Sequence, residues 1–175
     1  MSHTFEPALT RRAFLGAAVI AGTSFAWPRG SGATDREDSA LTIAIGKSPL
    51  VYISPLKSDG QESACHGEVW FVKDGSDLLV VTTPERWRAA AIEKGLGSAR
   101  LWVGDHGSWK KSQGKYEQSP SCLAAARLDG TPETRTRALA EFGVKYSAEW
   151  SKWGPKFSEG LSSGERVLIR YTPNP

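Results

Sequence analysis

Histidine, cysteine and methionine are scarce in this chain: three, two and one of 175 residues. Two cysteines cannot staple a small disulfide scaffold, and no pair stands at zinc-binding spacing. Beyond residue 33 only His66 and His106 remain, so an enzyme built on a histidine base with a hydroxyl or thiol nucleophile has little support. There is no Gly-x-x-x-x-Gly-Lys phosphate loop, no Gly-x-Gly-x-x-Gly after a strand and no His-Glu-x-x-His pair. No apolar run approaches the roughly 20 residues that a membrane-spanning helix needs.

The first thirty or so residues differ from the rest. Thr10-Arg11-Arg12-Ala13-Phe14-Leu15-Gly16 places two adjacent arginines ahead of an uncharged, Ala- and Gly-rich run, Ala13 to Ala26. Small residues follow at cleavage-like spacing, Ser24 and Ala26 or Ser31 and Ala33. This is the order of a twin-arginine signal peptide, expected over 1–33. It implies a twin-arginine translocase as the export partner and a location outside the cytoplasmic membrane. Loss of Arg11, Arg12, Arg29 and Glu6 leaves 19 basic against 18 acidic residues, a net charge of +1. The remaining surface gives no electrostatic case for nucleic acid, and no mature segment reads as membrane-bound. Cys65 and Cys122 can pair in an oxidising compartment or stay as buried free thiols; both readings stand.

Residues 34–39 are polar and read as a linker, and 40–175 as one domain. Leu41, Ile43 and Ile45 alternate, as a short strand or a first helical turn would. Leu50 to Lys57, Glu62 to Lys73 and Leu78 to Thr83 read as strands joined by Asp59-Gly60 and Asp74-Gly75 turns. Thr83 and Pro84 predict a helix start, Thr131 and Pro132 a second. Ser98 to Gly104, Cys122 to Leu128 and Glu165 to Tyr171 supply further strands. Ala138, Leu139, Phe142 and Tyr146 form a helical apolar stripe. A shorter aromatic stripe, Trp150, Trp153 and Phe157, is interrupted by Gly154-Pro155. The expected fold is mainly β (α+β), a six- to seven-stranded antiparallel split barrel with two or three covering helices.

Strand alternation puts His66, Glu68 and Trp70 on one face and Cys65, Val69 and Phe71 on the other. Arg100 and Trp102 share a face of a later strand. Thr82, Thr83, Arg86 and Arg88 surround a predicted helix N-terminus, where backbone N–H groups and guanidinium donors can hold a phosphate or merely cap and solvate the helix.

The segments Val69-Trp70-Phe71-Val72-Lys73-Asp74-Gly75, Val80-Val81-Thr82-Thr83-Pro84-Glu85-Arg86, Leu101-Trp102-Val103-Gly104 and Val167-Leu168-Ile169-Arg170 resemble the flavin-binding split-barrel superfamily. That group includes the pyridoxamine 5'-phosphate oxidase-like proteins and the deazaflavin-dependent nitroreductases. The resemblance implies an oxidoreductase that dimerises and holds FMN or a deazaflavin in a groove between subunits. It places cofactor-binding positions at Thr82, Thr83, Arg86 and Arg88; His66 and Trp70 join them as candidates from the polar, aromatic face that strand alternation gives. Gln61 and Glu62 stand where the family often has a basic residue. A haem-binding split barrel with His66 or His106 as axial ligand is the alternative, and a non-catalytic binding module on the same barrel is a third reading.

Overall fold

The computed structural model describes residues 34–174, so the twin-arginine stretch and the cleavage-like positions lie outside the described residues. The order is α1 (Thr34–Lys47), β1 (Leu50–Pro55), β2 (Gly67–Val69), β3 (Val72–Asp74), β4 (Asp77–Thr82), α2 (Trp87–Glu93) and β5 (Ser98–Gly104). Then follow α3 (Trp109–Ser112), a 3₁₀ turn (Lys115–Gln118), β6 (Ser121–Leu128), α4 (Pro132–Lys145), α5 (Ser147–Ser163) and β7 (Val167–Pro173). All seven strands join one antiparallel sheet in the order β2-β1-β5-β6-β7-β4-β3.

That order forces curvature. β2 and β3 are the two opposite edges of the sheet, yet only Trp70 and Phe71 separate them in the chain. A link of that length reaches roughly 10 Å, so the sheet must curl until its edges meet. This is an antiparallel half-barrel, the split-barrel architecture. The expected long strand over Glu62 to Lys73 is therefore two short strands, one on each edge. At the break, Phe71 would lose its ladder partners. Its N–H instead donates to the Tyr146 hydroxyl at 2.9 Å, and that hydroxyl lies 2.8 Å from the Phe71 carbonyl and 2.9 Å from the Pro49 carbonyl.

Alternation then fills three layers. Val51, Ile53, Leu78, Val80, Leu101, Val103, Ile169 and Tyr171 point into the barrel with Phe71. The opposite faces of β3, β4 and β7, through Val72, Leu79, Val81 and Leu168, pack under α4 and α5. Tyr52 of β1 and Trp102 of β5 pack under Tyr116 and Trp109 of the 105–120 segment. Strands covered on both sides read as continuous apolar runs, as Leu78 to Val81 does.

Several local expectations are corrected by packing. The segment 34–39 is not a linker but opens α1, and Leu41, Ala44 and Ile45 at helical spacing lie against the barrel core. Helix α5 runs through Gly154-Pro155 without stopping. Proline removes one N–H from the ladder and crowds the carbonyl four residues back, but Ser151 is exposed and its carbonyl can turn to water. Trp150, Phe157 and Leu161 are anchored on both sides of the proline, Trp150 parallel to Phe142 at 6.2 Å. Gly154 is needed there, because a Cβ would stand 2.8 Å from the Trp150 ring. Thr131 caps α4 as expected, accepting from Thr134 N at 3.3 Å. Thr83 does not cap α2, whose N-cap is Arg86 with no side-chain bond. α1, α4 and α5 are the long helices, with 14, 14 and 17 residues. No described helix is long and apolar enough to cross a membrane.

Candidate functional site

The phosphate-binding expectation rested on the start of α2. Arg86 is exposed there. Arg88 turns inward: its Nη1 donates to Thr82 Oγ1 at 3.1 Å, and its guanidinium carbon lies 5.2 Å from the Trp87 ring centroid. A Cβ on Gly67 would sit 2.8 Å from Arg88 Nη2, so glycine is what lets the guanidinium reach β2. Burial lowers the Arg88 pKa, and its Nε has no hydrogen-bond partner. Thr82 is 4% exposed. Thr83 is half-buried, and its hydroxyl meets the Glu85 carboxylate. These four residues thus do not converge on one open surface. Trp70 is also separate from His66. It stacks on Tyr146 at 4.3 Å within the cluster beneath α5, because the chain turns to the opposite sheet edge after Val69.

The chemistry-bearing side chains gather instead on the outer face of β2, β1 and β5. Antiparallel register sets Glu68, Tyr52 and Trp102 side by side in one row. The 105–120 segment folds back over this row and is pinned at three points. The Tyr52 hydroxyl donates to the Gly107 carbonyl at 2.7 Å and accepts from His106 N at 2.8 Å. Glu68 Oε2 accepts from Trp109 N at 3.0 Å, so Glu68 does not pair with His66. His106 Nε2 lies 2.8 Å from Ser119 Oγ, and Gly104 leaves room for that pair, since a Cβ there would collide with Ser119 Oγ.

His66 stands at the mouth of the row. It is half-buried, with Trp109 at 5.8 Å, Tyr116 at 6.1 Å and Trp102 at 6.3 Å between ring centroids. Its Nδ1 lies 3.1 Å from the Tyr116 hydroxyl. Tyr116 is buried, stacks on Tyr52 at 4.8 Å and meets Trp102 edge-on at 5.4 Å. Burial and the neighbouring Glu117 carboxylate push the Tyr116 phenol up to about 12. Nδ1 is thereby engaged, while Nε2 has no hydrogen-bond partner among the described residues. In front of His66 opens a shallow cleft of about 630 Å³, lined by Glu62, Ser63, Arg100, Trp102, Glu117 and Ser121 among others. Across it Arg100 Nε pairs with Glu62 Oε1 at 2.7 Å.

Of the six expected site residues, only His66 belongs to this cluster. Tyr52, Trp109, Tyr116 and Glu117 were not singled out as site residues. Alternation could have placed Tyr52 beside Trp102, but nothing local announces that Tyr116 returns to His66 from fifty residues away. Among the described residues no three His, Cys, Asp or Glu side chains are grouped to hold a bare metal ion. Cys65 is exposed, Cys122 is partly buried with its thiol pushed up to about 11 by burial, and both are free.

No family model matches the sequence, and no curated protein matches it. Solved structures do match in fold. The heme storage protein HutZ from Vibrio cholerae is 14% identical, with 79% of this chain and 90% of that one covered at a TM-score of 0.52. A conserved hypothetical protein from Mycobacterium tuberculosis, Rv2991, is 14% identical, covers 77% and 80% of the two chains and gives 0.55. A Listeria innocua protein assigned as a pyridoxamine 5'-phosphate oxidase is 14% identical, covers 80% and 94% and gives 0.51. At these identities the likeness is one of fold.

Proposed function

We propose that this chain is an exported, homodimeric small-molecule-binding split barrel that holds a planar cofactor, haem, through His66. One observation carries the reading: Tyr116 occupies Nδ1 of a half-buried imidazole, which leaves Nε2 for the cleft. The donor set fits the group. Haem needs an axial nitrogen, flat apolar walls and a cation for a propionate. His66 supplies the first, Trp102 the flat wall, and Arg100 the third once it exchanges Glu62 for the ligand. When bound, the iron supplies ligand exchange and one-electron chemistry. The protein's part is to hold the ring and limit access to it. The heme storage role printed for HutZ agrees with this choice. A flavin finds less here, because its phosphate has no free cradle: Arg88 is committed to Thr82, and Arg86 stands in solvent. Export by the twin-arginine route, which carries folded proteins, suits a chain that loads a cofactor first.

Haem titration tests the site. The wild-type chain is expected to give a saturable Soret band, and His66→Ala to lose it while His106→Ala keeps it. A Soret band that survives in His66→Ala overturns the assignment, as does stoichiometric uptake of FMN with none of haem.

The homodimer reading draws on β6. This strand is hydrogen-bonded on both sides, yet Leu123, Ala125 and Arg127 on its outward face are exposed. Leu123→Asp is expected to turn a dimer into a monomer in sedimentation velocity. A wild-type monomer at all concentrations rejects this part of the proposal.

A further inference from the structure

Arg100 and Glu62 both line the cleft in front of His66, and each is the other's only ionic partner among the described residues. Arg100 comes from β5, where it lies opposite Ser54 of β1 and shares a face with Trp102. Glu62 comes from the turn that follows β1, and its backbone is fixed on both sides. Lys57 N donates to the Gln61 carbonyl at 2.8 Å, Ser63 N donates to the Pro55 carbonyl at 2.9 Å, and Glu62 itself is bridged to Leu56. Ser54 Oγ adds a bond to the Ser63 carbonyl at 3.1 Å. Gly60, at φ 79°, closes the turn in a conformation that favours glycine. A hairpin built on the neighbouring strand, and not a free loop, therefore delivers the carboxylate to Arg100.

The pair is close but not buried. Nε lies 2.7 Å from Oε1, while the two side chains are 34% and 38% exposed, so an entering anion can reach the guanidinium. Glu117 lines the same cleft, which sets two carboxylates against one cation. In that balance Arg100 has no free charge to offer. We propose that Glu62 is a built-in competitor: it stands on Arg100 as a ligand carboxylate would, and a planar ligand gains Arg100 only by exchanging its own carboxylate for that of Glu62. Glu62 then sets the affinity and the charge that the cleft accepts. A single carboxylate can replace it one for one, whereas a doubly charged phosphate would meet Glu62 and Glu117 with one cation between them. Rejection by a misplaced like charge is a common route to specificity.

This role rests on the proposed ring-binding function of the cleft, and the two fail separately. Protoporphyrin IX, which has the ring and both propionates but no iron, and its dimethyl ester are titrated into the full chain by fluorescence. Neither forms an axial bond, so the readout does not depend on the ligand assignment of His66. Exposed ion pairs shift an equilibrium by up to about fivefold. Glu62→Gln is expected to bind the diacid about fivefold more tightly than wild type and the ester unchanged. Arg100→Gln should weaken the diacid alone, and adding Glu62→Gln to it should bring little further gain. Equal affinity of wild type and Glu62→Gln for the diacid overturns the competitor. So does a gain that the ester shares, or one of the same size without Arg100. Uptake of neither porphyrin by any of these chains overturns the competitor and the ring site together. If the porphyrin series is as expected and haem gives no His66-dependent Soret band, the competitor stands and the haem assignment falls.

Discussion

Replacing Arg170 with methionine is expected to destabilise the fold by about 3–5 kcal/mol, the usual cost of stripping one partner from a buried ion pair. Arg170 sits on the outer face of β7 with a side chain 9% exposed, and three carboxylates converge on it. Nε donates to Asp129 at 2.7 Å, Nη1 to Asp77 at 2.7 Å and Nη2 to Asp74 at 2.6 Å. Asp129 is 6% exposed, and without Arg170 it would keep Arg127 at 3.3 Å and the Thr131 backbone N–H. The pair joins β7 to the β3–β4 hairpin and to the loop entering α4, so three chain segments lose a common anchor at once. The sign of the pH dependence follows. Hydrogen bonds from Arg137 and Arg170 hold Asp74 below the usual carboxylate range. For Asp129 burial alone would raise the pKa, but the Arg170 bond and charge outweigh it and hold the group low. Groups depressed in the native state contribute stability above their unfolded pKa, near 3.9, and lose it as pH falls through the native value. Without Arg170 the buried Asp129 titrates upward, so acid relieves the variant while it costs the wild type. Chemical denaturation should therefore show the gap widest near pH 7 and narrowing from about pH 5 downward. A gap that grows in acid, or one below 1 kcal/mol at neutral pH, would mean that the cluster is solvated rather than structural.

The parts of the fold legible in the sequence are those where one local rule decides the outcome. Thr131-Pro132 starts a helix because its hydroxyl finds Thr134 N within the same turn. Gly60 and Gly75 mark turns because both take positive φ, 79° and 67°. Thr83-Pro84 carries the same letters as Thr131-Pro132, but Thr83 serves a turn before α2, and the helix begins three residues later. Leu41, Ile43 and Ile45 alternate in the sequence, yet α1 turns Leu41, Ala44 and Ile45 to the core and leaves Ile43 exposed. Pro155 reads as a stop, and the aromatic residues on both sides of it override that signal. These are all cases where tertiary packing, not propensity, set the result.

The site was less legible for a stronger reason. His66 and Glu68 could be placed on one face by alternation, and Arg100 with Trp102 on another. The sequence does not say that β1 joins those faces with Tyr52 between them, nor that the polar, glycine-containing 105–120 segment lays Trp109 and Tyr116 across the row. Long loops are where function collects, and where sequence periodicity stops. Arg88 shows the converse. An arginine after a helix start reads as an open anion donor, yet a missing side chain at Gly67 gives it a way into the barrel.

Tyr146→Phe should have the second large effect, because it acts at the one place where the barrel's hydrogen-bond ladder is interrupted. Between β2 and β3 the chain passes from one sheet edge to the other, and Phe71, 0% exposed, has neither strand as a partner. Tyr146, 8% exposed at the end of α4, accepts from Phe71 N at 2.9 Å and lies 2.8 Å from Phe71 O and 2.9 Å from Pro49 O. Burial pushes this phenol upward, so it stays a neutral donor throughout the working range. Phenylalanine keeps the ring, including its stack on Trp70 at 4.3 Å, and deletes only the hydroxyl. Each buried backbone group left without a partner costs roughly 1–3 kcal/mol, and Phe71 N–H loses its partner outright. The seam itself should also loosen. Hydrogen exchange at Trp70, Phe71 and Val72 is expected to rise by more than the global loss in stability explains, whereas amides in β5 and β6 should follow the global change alone. Equal acceleration across all strands would show that Tyr146 contributes only to overall packing and does not hold the two edges together.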